Sequence, residues 1–199
     1  MESQANDSSA GFLSTGSERP GFWLFAYGSL MWDPGFPHAE RHRAVLRGYH
    51  RSFCVYSVRY RGTPEAPGLV LGLDRGGSCC GVAYRVADDD AAAVRAYLWE
   101  REMFTRVYCP REVGVRLVDS AHRRIDALTF VVDRAHAQYA GRLPIGELVR
   151  LIRRGEGSRG RCRDYLLNTV QHLEQMGLSS RQLRRLAAQL ARGEGAAGD

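Results

Sequence analysis

Along the first two thirds of the chain the hydrophobic positions fall in short runs of strand character, and along the last third they recur at helical spacing. The run FWLFAYGSLMW, from Phe22 to Trp32, is apolar and aromatic except at Gly28-Ser29. It predicts a buried strand over 23–27 that runs directly into a tight turn. Asp33-Pro34-Gly35 then forces a loop. Residues 44–60 alternate in part and are rich in β-formers, which predicts one or two strands. Residues 69–73 and 80–86 read as the two arms of a hairpin closed by Asp74-Arg75-Gly76-Gly77.

Asp88-Asp89-Asp90 opens the next element, a helix with acidic residues at the positive end of its dipole and Val94, Tyr97 and Leu98 on one face. Two further strands follow over 109–118 and 124–132, with Asp119-Ser120-Ala121-His122 between them. LPIGELVRLIRRG is an amphipathic helix stopped at Gly155. A basic, Gly-rich loop comes next, then helices over 164–176 and 179–190, parted by Gly177. Strands early and helices late give an α+β class, with a barrel-like mixed sheet flanked by helices. Residues 1–20 and 193–199 lack hydrophobic periodicity and read as tails around one domain, 21–192.

Composition narrows the function classes. At 199 residues and 44% hydrophobic content, one domain with one core is expected. No apolar run approaches the roughly 18 residues needed to span a bilayer, so no membrane partner is expected. The start of the chain lacks the basic and apolar regions of a secretory signal, and a cytoplasmic setting is expected by elimination. Five cysteines without a CxxC pair argue against a disulfide framework and a structural zinc site, and leave adjacent Cys79 and Cys80 as thiols in a reducing compartment or as a redox pair. A net charge of +6 fits a nucleic-acid partner or an acidic small molecule equally well. No nucleic-acid motif is present, so the second is favoured.

Three features bear on chemistry. A strand ending at Gly28-Ser29 can present bare backbone N–H groups to an anion, although strand-to-loop glycines are also ordinary packing. Glu100 and Glu102, two apart on a helix, point about 200° away from each other, so one faces inward. A carboxyl facing Trp99, Met103, Phe104 and Tyr108 would have its pKa raised by desolvation and serve as base and acid near neutrality. The competing reading is an ion pair with Arg101 or Arg106. His38 and His42 are spaced for one helix face, but Pro37 and the lack of a third ligand favour a surface turn, so no metal is expected.

The segment Tyr27-Gly28-Ser29-Leu30 followed by Met31-Trp32 resembles the YGSL signature of the γ-glutamylcyclotransferases, and more narrowly their ChaC-type, glutathione-specific branch. Arg61-Gly62-Thr63-Pro64 with Pro67-Gly68 is similar to that family's RG-x-P…PG loop. Gly81 to Arg85, Tyr97 to Glu102 (YL-x-x-RE), Gln138 to Gly141, and Gly160-Arg161 with Asp164-Tyr165-Leu166 continue the match in order. Departures are Met103-Phe104-Thr105-Arg106 after the glutamate and Arg142-Leu143-Pro144 after Gly141.

The resemblance implies a cyclotransferase that converts glutathione to 5-oxoproline and Cys-Gly without cofactor or metal. It implies Glu102 as the single general base and acid, and the turn Tyr27, Gly28, Ser29 and Leu30 as the anion holder. Tyr139 becomes a hydroxyl donor, and Arg61 and Arg161 cations for glutathione's carboxylates. Other γ-glutamyl amino acids or γ-glutamylamines are the alternative substrates. The oligomeric state is not indicated.

Overall fold

A computed structural model describes residues 21–118 and 123–192. The expected tails and the segment Asp119-Ser120-Ala121-His122 lie outside the described residues. Strand β1, Phe22–Ala26, is followed by a 3₁₀ turn, Ser29–Met31. Two long strands come next, β2 (Glu40–Ser57) and β3 (Gly68–Val86), then helix α1 (Ala91–Glu102). Strands β4 (Tyr108–Leu117) and β5 (Arg124–Val132) precede helix α2 (Ile145–Arg154). A two-residue pair, β6 (Glu156–Gly157) and β7 (Gly160–Arg161), leads into α3 (Cys162–Gln175) and α4 (Arg181–Arg192).

Five strands close into a barrel in the order β1-β3-β2-β4-β5. All neighbours are antiparallel except β1 and β5, which meet in parallel at Leu24 and Leu128. The α+β mixed barrel with flanking helices is therefore as the hydrophobic pattern predicts. Leu24, Leu46, Leu69, Leu73, Leu117 and Phe130 are all nearly inaccessible and belong to one hydrophobic core. The apolar faces of α1 to α4 join the same core through Leu98, Ile152, Leu166 and Leu186.

One expectation is corrected. The hairpin over 69–86 does not form, because both of its arms belong to the single strand β3 and pair with β2 along its length. The register passes from Arg47 opposite Ser78 to Tyr49 opposite Arg75, so one residue of β2, Gly48, faces two of β3, Gly76 and Gly77. All three glycines have positive φ (85°, 99° and 72°). They form a bulge, which bends and twists the ribbon instead of reversing it. The one or two strands expected over 44–60 are a single strand, β2, which starts four residues earlier and ends at Ser57. The three aspartates 88–90 precede α1, which begins at Ala91.

The RG-x-P…PG loop between β2 and β3 is pressed against the β6–β7 segment. Ser158 and Arg159 donate backbone N–H groups to the carbonyls of Arg59 (2.8 Å) and Tyr60 (3.0 Å). The Cys162 thiol donates to Leu69 O at 3.0 Å, and burial pushes its pKa up to about 11, so it stays protonated. The backbones approach so closely that a Cβ on Gly62 would run into the main chain of Ser57, Ala66 and Gly68, and one on Gly157 into that of Arg59, Tyr60 and Gly62. These glycines are required by the close approach. Cys79 is buried and Cys80 exposed, which sets the adjacent thiols on opposite faces of β3; all five cysteines are unpaired.

Gly62→Ala is expected to lower stability by about 1–3 kcal/mol through overpacking against rigid backbone. Urea unfolding would show it as a lower midpoint. An unchanged midpoint would mean that the loop yields freely.

Candidate functional site

Where β1 ends at the rim of the barrel, a cleft of about 340 Å³ opens among the Ser29–Met31 turn, the end of α1, the loop after β2 and the face of α3 that carries Tyr165, Asn168 and His172. Its volume falls in the range of small-molecule sites. The turn is held from below. Tyr84 donates its hydroxyl to Met31 O at 2.8 Å, and Thr129 donates to Phe25 O at 2.9 Å. Arg51, buried, donates Nε to Tyr27 O and Nη2 to Cys80 O at 2.8 Å. Within the turn, the N–H groups of Met31, Trp32 and Asp33 bond back to the carbonyls of Gly28 and Ser29. The N–H groups of Gly28, Ser29 and Leu30 take no part in that pattern and stand at the free end of the 3₁₀ turn, where donors lack intrahelical acceptors.

Glu102 is the last residue of α1 and lines the cleft, whereas Glu100 faces solvent. The inward and outward carboxyls follow from helix periodicity, as expected. Glu102's side chain is 18% exposed, and its nearest cation is Arg101, with Nε 3.6 Å from Oε1. Desolvation raises its pKa above the ordinary 4.5, against the opposing pull of Arg101. Both alternatives in the sequence therefore hold together: Glu102 is desolvated and it faces a cation.

Arg101 is the hub of the site. Its Nη2 donates to Ser29 Oγ at 3.0 Å, and its Nη1 to Asp33 O at 3.0 Å and to the Tyr97 hydroxyl at 2.6 Å. One guanidinium thus ties the turn to the end of α1 and sets the carboxyl's position relative to the bare N–H groups. Three tyrosines, Tyr27, Tyr108 and Tyr165, share the cleft with Glu102. Burial raises the pKa of each, and Glu102's charge adds to it; Tyr165 reaches about 12. Their hydroxyls remain protonated donors, that of Tyr108 bonding Leu71 O at 2.7 Å.

Of the residues singled out in the sequence, Tyr27, Gly28, Ser29, Leu30, Arg61 and Glu102 converge on this cleft. Tyr139 and Arg161 are absent from its lining. Tyr139 bonds Asp74 Oδ2 at 2.9 Å, beside the Arg134–Asp74 ion pair, and its neighbour Gln138 faces the cleft instead. Arg161 is exposed and pairs with Glu156 at 3.4 Å, while Arg159, also exposed, lines the cleft. In both cases the expected segment reaches the site with a different side chain. Arg51, Arg101, Tyr108 and Tyr165 were not singled out as site residues. A charged residue inside the apolar stretch 44–60 was the available signal for Arg51.

His42 meets Glu40 at 2.9 Å, and His38 stacks edge-on against Tyr84. Among the described residues no three His, Cys, Asp or Glu side chains are placed to hold a metal, and no helix is long and apolar enough to cross a membrane.

The family described as ChaC-like protein matches residues 22–192. The chain belongs to that family. It is 35% identical over 156 residues to the Escherichia coli K12 protein named glutathione-specific γ-glutamylcyclotransferase, covering 78% of this chain and 67% of that one. It is 30% identical over 177 residues to the human glutathione-specific γ-glutamylcyclotransferase 1, covering 88% and 80%. A crystal structure of a yeast γ-glutamylcyclotransferase specific to glutathione shares the fold, with a TM-score of 0.79 at 23% identity over 87% of this chain and 97% of that one. The ChaC-like barrel thus belongs to a fold already seen in experiment.

A carboxyl with a raised pKa opposes folding once it must ionise. Below pH about 4.5 Glu102 is neutral in both states, and above it the unfolded chain releases the proton first. Stability therefore falls as pH rises through the Glu102 pKa, and Glu102→Gln lacks that loss. The variant is expected to gain on wild type between pH 4.5 and 7.5 in paired urea titrations. A gap independent of pH would show that folding does not raise the Glu102 pKa.

Proposed function

We propose that this protein is a γ-glutamylcyclotransferase acting on glutathione, with residues 21–192 as its catalytic domain, in a reducing cytoplasmic setting. The observation that carries the reading is the placement of one desolvated carboxyl, Glu102, in the same cleft as the bare N–H groups of the Gly28-Ser29-Leu30 turn. Family membership and the names of the relatives support glutathione as the substrate.

In this reaction the α-amine nitrogen of the γ-glutamyl group bonds to its own γ-carbonyl carbon, and the bond from that carbon to the cysteinyl nitrogen breaks. Net, one proton moves from the attacking amine to the departing one, giving 5-oxoproline and Cys-Gly. Nucleophile and electrophile are tethered, so orientation supplies much of the catalysis, up to about 7–11 kcal/mol in favourable cases. An α-amine with a pKa near 8 is mostly protonated at neutrality, and the fraction that reacts is the neutral amine. Glu102 takes its proton and returns one to the leaving amine, a double duty suited to a carboxyl whose pKa lies above the ordinary range. The turn N–H groups hold the substrate's α-carboxylate or the developing oxyanion, where one preorganised donor contributes about 2.7–4 kcal/mol. Arg101 acts as a positioning residue, since it locks Ser29 to the end of α1.

Incubation of the purified protein with reduced glutathione is expected to give 5-oxoproline and Cys-Gly, and Glu102→Gln to cut the rate by about 10²–10⁴. Turnover of another γ-glutamyl compound but not glutathione would overturn the substrate, and an active variant would overturn the role of Glu102. Arg101→Met removes the cation that holds the Glu102 pKa down, so the acid limb of the kcat/KM profile is expected to move to higher pH. An unmoved limb would detach Arg101 from Glu102's titration.

A further inference from the structure

The cleft lining carries four arginines, Arg59, Arg61, Arg101 and Arg159, against two carboxyls, Asp33 and Glu102. Two of the four are committed to the protein. Arg101 serves the turn, as above. Arg61 spends Nη1 on the carbonyls of Arg159 and Arg161. Arg59 and Arg159 differ: among the described residues neither forms an ion pair, and their contacts are with aromatic rings. Arg59 lies 4.3 Å from the Phe104 ring centre, and Arg159 lies 4.5 Å from that of Tyr60. The two rings are themselves 6.3 Å apart.

A guanidinium stacked on a ring uses its face and keeps its in-plane N–H edge for a carboxylate. The two loops that carry these arginines are zipped together by the Ser158–Arg59 and Arg159–Tyr60 backbone bonds. Both charges are therefore presented from one ordered rim. They are also exposed, as is Phe104 at 55%, whereas Glu102 at 18% sits deeper. A substrate whose γ-glutamyl end reaches Glu102 and the turn has its far end at this rim.

Building on the proposed function, we infer that Arg59 and Arg159, backed by Tyr60 and Phe104, recognise the C-terminal carboxylate of the departing dipeptide. This subsite makes the enzyme select γ-glutamyl tripeptides with a free C-terminal carboxylate, and so sets its substrate class.

The test compares glutathione with its glycyl ethyl ester, which keeps every atom of the reacting end and masks only the terminal charge. Wild type is expected to prefer glutathione in kcat/KM by about tenfold to a hundredfold, the size of one or two charge-assisted hydrogen bonds. The double variant Arg59→Met with Arg159→Met retains apolar stems against the rings and is expected to lose that preference. Equal wild-type rates on the two substrates, or a double variant that still discriminates, overturn the subsite and leave the cyclotransferase reading standing. Formation of 5-oxoproline from neither substrate by wild type overturns both.

Discussion

The pairing of β2 with β3 along nearly their whole lengths is the constraint on which the rest of the structure depends. At one end of this ribbon, Val82 to Val86 takes β1 as its next neighbour and so fixes where β1 runs out at the barrel rim. At the other end, Ser57 faces Gly68, and the loop between them forms a wall of the cleft. The Gly48, Gly76 and Gly77 bulge lets so long a ribbon curl far enough for β4 and β5 to close the barrel. The Ser29–Met31 turn after β1 and the loop between β2 and β3 are thus both positioned by one bent ribbon. Their relative position is set by the backbone ladder, and buried side chains such as Arg51 and Tyr84 then hold the turn in place.

That dependence explains what was legible in the sequence. Strand and helix existence came through, because period 2 and period 3.6 are local properties of the chain. The inward aim of Glu102 came through for the same reason. The continuous β3 did not: Asp74-Arg75-Gly76-Gly77 carries turn chemistry, and only the partner strand, with Gly48 opposite, decides that it bends and does not reverse. Tyr139 and Arg161 show a related limit. Each segment does arrive at the cleft, yet Gln138 and Arg159 face it, because the side that faces the cleft depends on pairings such as Val55 with Tyr139 that link residues distant in sequence. Arg51 and Arg101 are further cases, since each earns its role from acceptors on other elements.

The arginines of the cleft divide by burial. Arg51, buried beneath the cleft, and Arg101, within it, donate to carbonyls and hydroxyls, so they act as structural clamps on the turn. Arg61 belongs with them, since it braces the neighbouring loop. At the exposed rim, Arg59 and Arg159 stack on aromatic rings and, among the described residues, form no ion pair. A positively charged cleft therefore does not present uniform charge to a ligand. Its inner charges are already answered by the protein, and its outer ones are open to a solute's carboxylate.

The same division bears on Glu102. Burial alone would hold its carboxyl in the neutral form, and a base must be able to ionise. A fully exposed ion pair would hold it ionised, and an acid must be able to carry a proton. Desolvation and the Arg101 guanidinium act in opposite directions on one group, and desolvation prevails. Tyr27, Tyr108 and Tyr165, held protonated by the same burial, surround it with donors that do not compete for its proton. The proposed ring closure asks for little beyond this: a carboxyl that can both accept and return a proton, and a fixed row of N–H groups in the same cleft. The barrel rim supplies the row, the end of α1 supplies the carboxyl, and Arg101 keeps the two in register.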